Sequence, residues 1–504
     1  MPENLSNNQI KSNELYPYQK RLVDSIFERL RQIDNGTNLL FQLPTGGGKT
    51  LIFSEIARKY LHDFDKKVLI LTHRVELLGQ TSRVLNSVGL ETKVIDSNVH
   101  DIPDQAKYKC FIAMVETLNN RLLDNECYLD DIGLVIVDEA HYNSFRKIFQ
   151  YFKETNILGV TATPLSSNKN LPLNENYNEL IMGESIADLI DSGYLCKGTT
   201  YTYSVNLKSL TVGISGDFTV SSSERVYGRD HMQQALLTAY EEKSKGKKTL
   251  IFNAGIATSI KVYDLFVSHG FQNIRHLDST FSSQERKDVL SWFRNTPSGI
   301  LTSVGILTTG FDEPSVESII LNRATRSLTL YHQMIGRGSR VIPKKEHFSI
   351  IDLGNNALRL GYWQDYIDWN DVFIYPAKYI DRDYEKDIEE RIYVMPDDIK
   401  QRFKHISDED FDVKEIYKYC MKNGIRPKKV LEESTENHFQ LIMDNTMHYN
   451  EAQELLDLLR DEISHRLKLF TKCINGSDNY ATWLTDEYNR KLKSKLWHAL
   501  NGEL

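Results

Sequence analysis

Leu43-Pro44-Thr45-Gly46-Gly47-Gly48-Lys49-Thr50 is a glycine-rich turn that ends in Lys-Thr. The residues before it, Asn38 to Gln42, are typical of a short buried strand, and Leu51 to Ala57 are typical of a helix with an apolar face. Glycines in such a turn let backbone N–H groups and the helix N-terminus approach phosphate oxygens closely. The stretch therefore predicts a nucleoside triphosphate site, with ATP as the expected nucleotide, rather than a turn that only ends a strand.

The same turn supplies the groups expected to hold the phosphates and a cation. The Lys49 ammonium is expected to reach the β- and γ-phosphates, and the Thr50 hydroxyl to ligate Mg²⁺. Leu43 stands where the general phosphate-loop pattern has its first glycine, so that pattern is matched imperfectly. The residues expected to bind the nucleotide in this turn are Thr45, Gly46, Gly47, Gly48, Lys49 and Thr50.

A second acidic site follows a four-residue apolar run, Leu134 to Val137, which is typical of a buried strand. The run delivers Asp138 and Glu139 at its end. Because side chains alternate along an extended chain, these two carboxylates are expected to point in different directions. Asp138 is then expected to hold the Mg²⁺ shell, while Glu139 positions or deprotonates the attacking water. A solvated acidic turn is the simpler alternative.

Three further segments appear in a fixed order along the chain. They are Gly159-Val160-Thr161-Ala162-Thr163-Pro164, Gly305-Ile306-Leu307-Thr308-Thr309-Gly310-Phe311-Asp312 and Gln333-Met334-Ile335-Gly336-Arg337-Gly338-Ser339-Arg340. Together with the phosphate loop and Asp138-Glu139-Ala140-His141, the set resembles the superfamily 2 helicases of the DEAH-box type over residues 15 to 355. In that family the phosphate loop commonly begins with Pro-Thr-Gly, which accounts for Leu43.

The resemblance implies nucleotide contacts outside the phosphate loop. Gln19, in the pair Tyr18-Gln19, matches the residue that reads adenine, since its amide offers a donor and an acceptor. Gln333 is also expected to bind the nucleotide. Arg337 and Arg340 match the arginines that reach the γ-phosphate from a second domain and stabilise developing negative charge. Without the resemblance, an arginine pair at helical spacing more often indicates a solvated face.

The resemblance also implies residues that contact nucleic acid or couple it to ATP. Thr161 and Thr163 match the motif that links the state of the nucleotide to the grip on nucleic acid. A threonine-rich strand end is the alternative reading of that motif. The residues that match contacts to the sugar-phosphate backbone are Thr72, Arg74, Thr117 and Thr309.

Alternating strands and amphipathic helices predict an α/β fold with two tandem RecA-like parallel sheets and a helical C-terminal region. The expected domains are an ATP-binding domain over residues 1–185, a second helicase domain over 186–360 and an accessory domain over 361–504. The accessory domain either packs on the motor as a structural element or selects nucleic-acid or protein partners. The predicted strands are Leu39 to Leu43, Val68 to Thr72, Cys110 to Ala113, Leu134 to Asp138, Ile157 to Thr161, Thr249 to Phe252, Ile274 to Leu277, Gly299 to Ser303, Ser318 to Leu321 and Phe348 to Asp352.

Composition limits which classes of protein the chain can belong to. A net charge of −8 argues against nucleic-acid binding through overall electrostatic attraction, but it is compatible with a local binding surface for a nucleic-acid strand. The five cysteines form no Cys-x-x-Cys pair, and no apolar run approaches the ~18 residues that span a bilayer. A cytoplasmic protein without membrane contact is expected.

The combined pattern predicts an ATP-dependent helicase or translocase that uses ATP and Mg²⁺, with DNA favoured over RNA. The segments Gly310 to Pro314 and Gln333 to Arg340 most resemble the RadD-like and XPB-like DNA repair ATPases, although this chain lacks the cysteine-rich elements of RadD-like proteins. Two alternatives stay open. One is an RNA helicase, and the other is an ATP-gated binding subunit that does not unwind nucleic acid.

Overall fold

The computed structural model describes most of the chain in two compact units, one of residues 1–203 and 210–382 and the other of 204–209 and 383–504. The described residues are 15–73, 75–102, 104–125, 128–166, 168, 170–203, 205–213, 216–308, 311–343, 345–380, 393, 395–405, 411–474 and 476–501. Among them, none of the helices is both long and apolar enough to cross a membrane. The first unit holds two parallel sheets, and the second is helical.

The first sheet has seven parallel strands in the order β3-β4-β2-β5-β6-β1-β7. Its central strands are almost entirely buried because helices cover both faces, which explains their continuous aliphatic runs. The strands are β1 (Asn38–Gln42), β2 (Lys67–Thr72), β3 (Thr92–Ile95), β4 (Cys110–Met114), β5 (Ile132–Asp138), β6 (Asn156–Thr161) and β7 (Glu179–Met182). The helices are α1 (Pro17–Gln32), α2 (Lys49–Asp63), α3 (Val75–Ser87), α4 (Val115–Asp124) and α5 (Arg146–Phe149).

The second sheet has six parallel strands in the order β10-β11-β9-β12-β13-β8. The strands are β8 (Lys197–Thr202), β9 (Thr249–Asn253), β10 (Ile274–Leu277), β11 (Ile300–Ser303), β12 (Ser318–Asn322) and β13 (His347–Asp352). The accompanying helices are α6 (Ile186–Asp191), α7 (Val220–Tyr227), α8 (Asp230–Lys243), α9 (Ile256–Ser268), α10 (Ser283–Asn295), α11 (Leu328–Ile335), α12 (Asn356–Leu360), α13 (Trp369–Ile374) and α14 (Ala377–Ile380). Two parallel α/β sheets with a helical C-terminal region confirm the predicted fold class.

All ten predicted strands are present, with ends that shift by one or two residues. Helix α10 begins with a capping box, in which the Ser282 side chain accepts a hydrogen bond from the Glu285 backbone N–H. The stretch from Pro164 to Glu179 is rich in Ser, Asn and Pro, which is typical of a linker or mobile loop, but it lies between two strands of the first sheet, β6 and β7, and does not link the two sheets. Leu173 and Tyr177 from this stretch are buried in the core of the first sheet.

The stretch from Thr211 to Ser223 is rich in Gly, Ser and Thr, which predicts a hairpin or loop, and the structure agrees with this only in part. Val212 and Phe218 form an isolated antiparallel bridge, but Val220 already begins helix α7. The Thr219 hydroxyl accepts a hydrogen bond from the Ser222 backbone N–H, so Thr219 caps this helix. The helix was missed because its serine-rich first turn is typical of a loop.

The helical unit is built around a core of leucines on several helices. The apolar residues from Ala452 to Leu467 recur at helical spacing and are largely buried, and they belong to two helices that meet at Leu459. The helices are α15 (Asp397–Lys400), α16 (Val413–Lys422), α17 (Lys428–Met443), α18 (Tyr449–Leu458), α19 (Arg460–Cys473) and α20 (Asp478–Asn501). The accessory domain boundary at residue 361 stays a prediction.

A buried polar network crosses the core of the helical unit. His438 Nδ1 and Ser434 Oγ lie 2.7 and 2.9 Å from the Tyr488 hydroxyl, and Arg466 donates to Glu462. Burial, with Arg466 nearby, lowers the pKa of His438 to about 4. Burial opposes the charge on Glu462, yet His438 and Arg466 outweigh it and lower the pKa of Glu462 to about 2.

This network predicts that acid destabilises the helical unit. The folded pKa of His438 lies below its unfolded value, so its contribution is present above pH ~6.5 and is lost as the pH falls to about 4. The loss for His438 alone is on the order of 3 kcal/mol. Hydrogen exchange of peptides from residues 428–501, corrected for intrinsic rates, should report it. His438→Gln should flatten the pH dependence in this window, and an unchanged profile would contradict the prediction.

Candidate active site

The phosphate loop lies between β1 and α2, and its backbone requires glycine. Gly46 and Gly48 have φ angles of 99° and 86°, in the left-handed region that other residues avoid. A Cβ atom on Gly47 would lie 2.7 Å from Leu43 Cγ, and one on Gly48 would clash with the Gln19 amide. Gly48 also begins helix α2. The loop therefore presents its backbone and the start of α2 to a phosphate, as the sequence predicts.

Tyr18 and Gln19 on α1 support this loop from behind. The Tyr18 hydroxyl and the Gln19 Nε2 group both donate to the Gly47 carbonyl, at 2.7 and 3.0 Å. The Gln19 Oε1 atom accepts a hydrogen bond from the Tyr16 backbone N–H at 2.9 Å. Burial raises the pKa of Tyr18, so its hydroxyl keeps the proton that it donates. Both ends of the Gln19 amide are thus bound within the chain, and its contact with adenine stays a prediction.

Lys49, Asp138 and Glu139 form a buried charged cluster at the carboxyl end of the first sheet. Lys49 Nζ donates to the Leu43 carbonyl at 3.3 Å. Burial lowers the pKa of Lys49, although the charges of Glu139 and Asp138 oppose this shift. Burial, together with the Glu139 charge, raises the pKa of Asp138 to about 7. Burial also opposes ionisation of Glu139, but Lys49 and other nearby cations outweigh it and lower the pKa of Glu139.

This cluster fits a divalent cation bound together with phosphate. The Glu139 Oε2 atom is buried and accepts no hydrogen bond among the described residues. Buried carboxylate oxygens without a donor are costly unless a cation or water compensates them. Oxygen atoms of Asp138 and Thr50 are the hard ligands that Mg²⁺ prefers, alongside phosphate oxygens.

The backbone of Glu139 is strained at the end of β5. Its φ angle is 52°, in a region that residues other than glycine rarely adopt. Such strain costs on the order of 1–3 kcal/mol and persists where the surroundings hold it. Here the Ala140 N–H donates to the Val160 carbonyl and the Tyr142 N–H donates to the Glu139 carbonyl. Such strain is most common at functional sites, so it is consistent with the predicted role of Glu139.

A chain of polar contacts connects the carboxylate to the second α/β domain. His141 Nδ1 lies 3.4 Å from Glu139 Oε2 and 3.1 Å from the Thr161 hydroxyl. The Thr161 hydroxyl donates to the Thr163 carbonyl at 2.9 Å, and the Thr163 hydroxyl donates to the Thr329 hydroxyl at 2.8 Å. These contacts join the two α/β domains through Thr161 and Thr163, whose coupling role stays a prediction. Thr329 was missed, although it lies one helical turn before Gln333 on α11.

The segment after α11 brings the two predicted arginines to the first domain's site. Arg340 Nη1 donates to the Gly46 carbonyl at 3.0 Å, and Arg340 Nε lies 3.4 Å from Asp312 Oδ1. Gly336 makes this approach feasible, because a Cβ atom there would lie 2.6 Å from Thr45 Cβ. The sequence therefore identified two arginine positions, of which Arg340 contacts the phosphate loop directly.

Arg337 is held differently from Arg340. Its guanidinium donates to the carbonyls of Phe311 and Thr308 at 2.6 and 2.5 Å. Its charge is also among those that lower the pKa of Glu139. Gln333 is buried in the same region, and its Nε2 donor has no hydrogen-bond partner among the described residues. Such a donor costs about 1–3 kcal/mol unless a ligand accepts from it.

The predicted contacts to the sugar-phosphate backbone are less well supported. Thr72 is buried at the end of β2, and its hydroxyl has no hydrogen-bond partner in the described structure. Thr117 is half-buried on α4. Arg74 and Thr309 lie outside the described residues. Contacts of these four residues with nucleic acid stay predictions.

Lys345 and Cys196 also position Arg340, and sequence analysis missed both. Lys345 Nζ donates to the carbonyls of Arg340 and Pro314, each at 2.8 Å, and the Cys196 thiol donates to the Arg340 carbonyl at 3.1 Å. Burial lowers the pKa of Lys345 to about 8. A lysine five residues after Arg340, in Pro343-Lys344-Lys345, was the available signal.

Replacing Lys345 with Met should weaken catalysis without removing the nucleotide site. The change removes the ammonium that donates to the carbonyls of Arg340 and Pro314, and it leaves the Cys196 thiol as the other donor to Arg340. Hydrogen bonds to charged groups contribute about 1.5–3 kcal/mol each. We expect ATP turnover to fall roughly tenfold or more, since 1.4 kcal/mol is a factor of ten. Steady-state ATPase assays would measure this, with Lys287→Met as the control because Lys287 is exposed on α10. Equal activity of the two variants would exclude a positioning role.

Two family models match the domains that carry these residues. Residues 12–166 match the res subunit of type III restriction enzymes, and residues 230–341 match the helicase conserved C-terminal domain. Among solved structures, the chain is similar to a fragment of an HsdR subunit of a type I restriction enzyme from Vibrio vulnificus, with a TM-score of 0.52 and 21% identity over 68% of this chain and 66% of that one. It is also similar to the type ISP restriction-modification enzyme LlaBIII bound to DNA, with a TM-score of 0.52 and 16% identity over 79% of this chain and 31% of that one. These likenesses show the fold.

The curated relatives likewise include a helicase and a restriction enzyme subunit. The chain is 30% identical over 414 residues to IRC3 of Saccharomyces cerevisiae, named as an ATP-dependent helicase, over 76% of this chain and 59% of that protein. It is 22% identical to the EcoAI type I restriction endonuclease subunit of Escherichia coli, over 66% of this chain and 45% of that one. The chain thus spans 59% of the length of its yeast relative. The two matched family models lie on the two α/β domains that carry the candidate site.

Proposed function

We propose that this chain is a nucleic-acid-dependent ATPase that moves on DNA as a helicase or translocase. The observation that supports this most strongly is the contact of Arg340 from the second α/β domain with Gly46 of the phosphate loop, at 3.0 Å. A nucleotide bound to the loop would then lie between catalytic groups of two domains. ATP binding would favour their closure, and release of the products would favour their opening.

In this proposal, each catalytic group has one task. The loop backbone and Lys49 bind the phosphates, while Thr50 and Asp138 would hold Mg²⁺. When bound, that ion would supply charge neutralisation at the phosphate oxygens. Glu139, whose pKa is lowered, accepts a proton from the attacking water.

The residues of the second domain complete the site. Arg337 and Arg340 would stabilise charge that develops on the γ-phosphate, and the buried amide of Gln333 would donate to the same group. Thr161, Thr163 and Thr329 form the connection through which the state of the nucleotide would reach the second domain. Such a connection supports coupling between ATP hydrolysis and movement on a strand.

DNA is the favoured substrate in this proposal. The solved relative LlaBIII was determined bound to DNA, and restriction enzymes recur among the relatives. An RNA substrate is the alternative, since a stretch covering 30% of this chain is 27% identical to the mouse RNA helicase DHX58. The RadD-like or XPB-like branch and a role in DNA repair stay predictions. Free thiols at Cys110, Cys196, Cys420 and Cys473 support a reducing compartment such as the cytoplasm.

A second candidate is an ATP-gated binding subunit that does not unwind nucleic acid. It is favoured by the relatives that are subunits of larger enzymes, including the EcoAI endonuclease subunit. In that case the chain would change shape with ATP while other proteins perform the chemistry. Partners would then bind surfaces that are not part of the nucleotide site.

One set of measurements separates these functions. ATPase rates of the full chain should be compared with single-stranded DNA, duplex DNA, forked DNA and RNA, alongside a strand-displacement assay. Strongest stimulation by DNA would support the proposal, and strongest stimulation by RNA would support the alternative substrate. ATP hydrolysis without strand displacement or translocation would support the binding subunit. An ATPase rate that no nucleic acid changes would exclude the proposed function.

A further inference from the structure

The helical unit contains a cavity of about 720 Å³, which is large enough for a drug-sized ligand or a short stretch of polymer. One wall is formed by α19, whose side chains at helical spacing face the cavity. The other wall is formed by the first turns of α20, and Gly476 between the two helices also lines the cavity. The polar residues that line the cavity include Lys208, Ser464, Lys468, Lys472, Thr482 and Thr485.

The lining of this cavity is positively charged. Lys208, Lys468 and Lys472 contribute three ammonium groups, and Asp486 is the carboxylate among the lining residues. His465 also lines it. All three lysines are exposed to solvent, although the whole chain carries a net charge of −8. A local concentration of lysines on an acidic protein attracts anions.

Hydroxyl groups lie among the lysines. Ser464, Thr471, Thr482 and Thr485 line the same cavity. Lysine and hydroxyl side chains together are the groups that contact phosphate and sugar in nucleic acids without reading bases. The lining therefore suits a phosphate-bearing ligand better than a metal cation, which a cage of carboxylates would hold, or an apolar ligand.

An exposed tryptophan lies on the same helix as the second wall. Trp483 follows the lining residue Thr482 in sequence, although it is not itself among the residues that line the cavity. Its side chain is 57% exposed, and its ring lies 5.6 Å from that of Tyr480. Exposed aromatic rings beside positive charge are the features on which single-stranded bases stack.

We propose that this cavity binds the sugar-phosphate backbone of single-stranded nucleic acid, with Trp483 stacking on a base. The site lies in the helical unit and uses none of the residues assigned to ATP, so it goes beyond the proposed function. The shared chemistry of its ligand is the phosphate group, and inorganic phosphate is the other source of that group.

The basic end of the chain is a weaker candidate for the same role. This end carries Arg490, Lys491, Lys493 and Lys495. In the structure Arg490 and Lys491 both pair with Glu487, at 2.5 and 3.2 Å, and Lys495 pairs with Glu436. Among the described residues that line the cavity, three are lysines and one, Asp486, is a carboxylate.

Binding of a fluorescent oligothymidylate to the full chain, without nucleotide, tests this site. Lys208, Lys468 and Lys472 should be changed together to Ala, with Lys400, Lys404 and Lys422 changed together as the control, since none of these three lines the cavity. Each phosphate contact on a single strand contributes about 0.7 to the salt slope, so the slope should fall by about 2. The control should keep the slope of the original protein.

Two further variants distinguish charge and stacking from general damage. Asp486→Asn removes the negative charge from the lining and should tighten binding, which an unfolded helical unit would not do. Trp483→Ala should weaken binding about tenfold, since stacking contributes about 1–3 kcal/mol per base. Asp461→Asn is the control for the first change, because Asp461 is exposed on α19 outside the cavity.

The outcomes are decisive in either direction. A reduced salt slope in the triple variant, with tighter binding by Asp486→Asn, supports the site. An unchanged slope in a folded triple variant overturns it. Competition by inorganic phosphate at constant ionic strength, as effective as competition by unlabelled oligonucleotide, would identify a small-anion site and also overturn the proposal. Because no ATP is present, these results do not depend on whether the motor hydrolyses it.

Discussion

Replacing Glu139 with Gln is expected to lower ATP turnover by about 10³, or roughly 4 kcal/mol of transition-state stabilisation. The amide keeps the size of the side chain but cannot accept the proton of the attacking water. The lowered pKa of Glu139 indicates that the original carboxylate is charged and able to act as the base. Single-turnover hydrolysis would measure the chemical step, and calorimetry would measure ATP binding, which should remain.

The strain at Glu139 makes Gln a suitable replacement. Its φ angle of 52° costs Gln about as much as Glu, so folding should not change. Glu116→Gln is the matched control, because Glu116 is exposed on α4. If Glu139→Gln turned over ATP at the original rate, Glu139 would not be the base. A lower melting temperature in the variant would instead indicate a structural effect.

The sequence predicted the centre of each sheet better than its edges. Central strands such as β5 and β6 are aliphatic because both faces are covered, and this pattern identifies them. Strands β3, β7 and β8 were missed because they lie at sheet edges, where partial exposure permits mixed residues such as those of Lys197–Thr202. Short polar strands of this kind resemble loops in sequence.

Prediction of the candidate site from sequence has a related limit. Motifs identified the residues that chemistry requires, including Lys49, Glu139 and Arg340. They did not identify residues that hold those groups in place through the fold, such as Lys345 and Thr329. Such contacts join segments far apart in sequence. A motif does not specify them, because the backbone carbonyl groups that accept from Lys345 are present in every residue. The roles of supporting residues therefore depend on the folded chain.

Arg340→Ala is expected to have an effect at least as large as that of Glu139→Gln on the hydrolysis step. Arginines that reach a transferred phosphoryl group from another domain contribute about 10³–10⁵ in rate. Arg340 is suited to this because it already donates to Gly46 and contacts no other part of the phosphate loop by a described hydrogen bond. ATP binding should be largely retained, since the loop and Lys49 remain. Arg340→Lys should recover little activity, because an ammonium lacks the planar pair of donors.

Arg337→Ala should also cripple hydrolysis, but it should have a second effect. Arg337 fixes the carbonyls of Thr308 and Phe311, so its removal should increase hydrogen exchange in peptides from residues 303–316. Arg340→Ala should change that exchange less, because its contact with this segment is to the side chain of Asp312 and not to backbone carbonyls. Arg229→Ala is the control for both, because Arg229 is exposed in the same domain. Full activity of the Arg337 and Arg340 variants would mean that the two domains do not share one catalytic site. A hydrolysis defect in Arg340→Ala without altered exchange would instead show that this arginine acts on the nucleotide itself rather than on the fold.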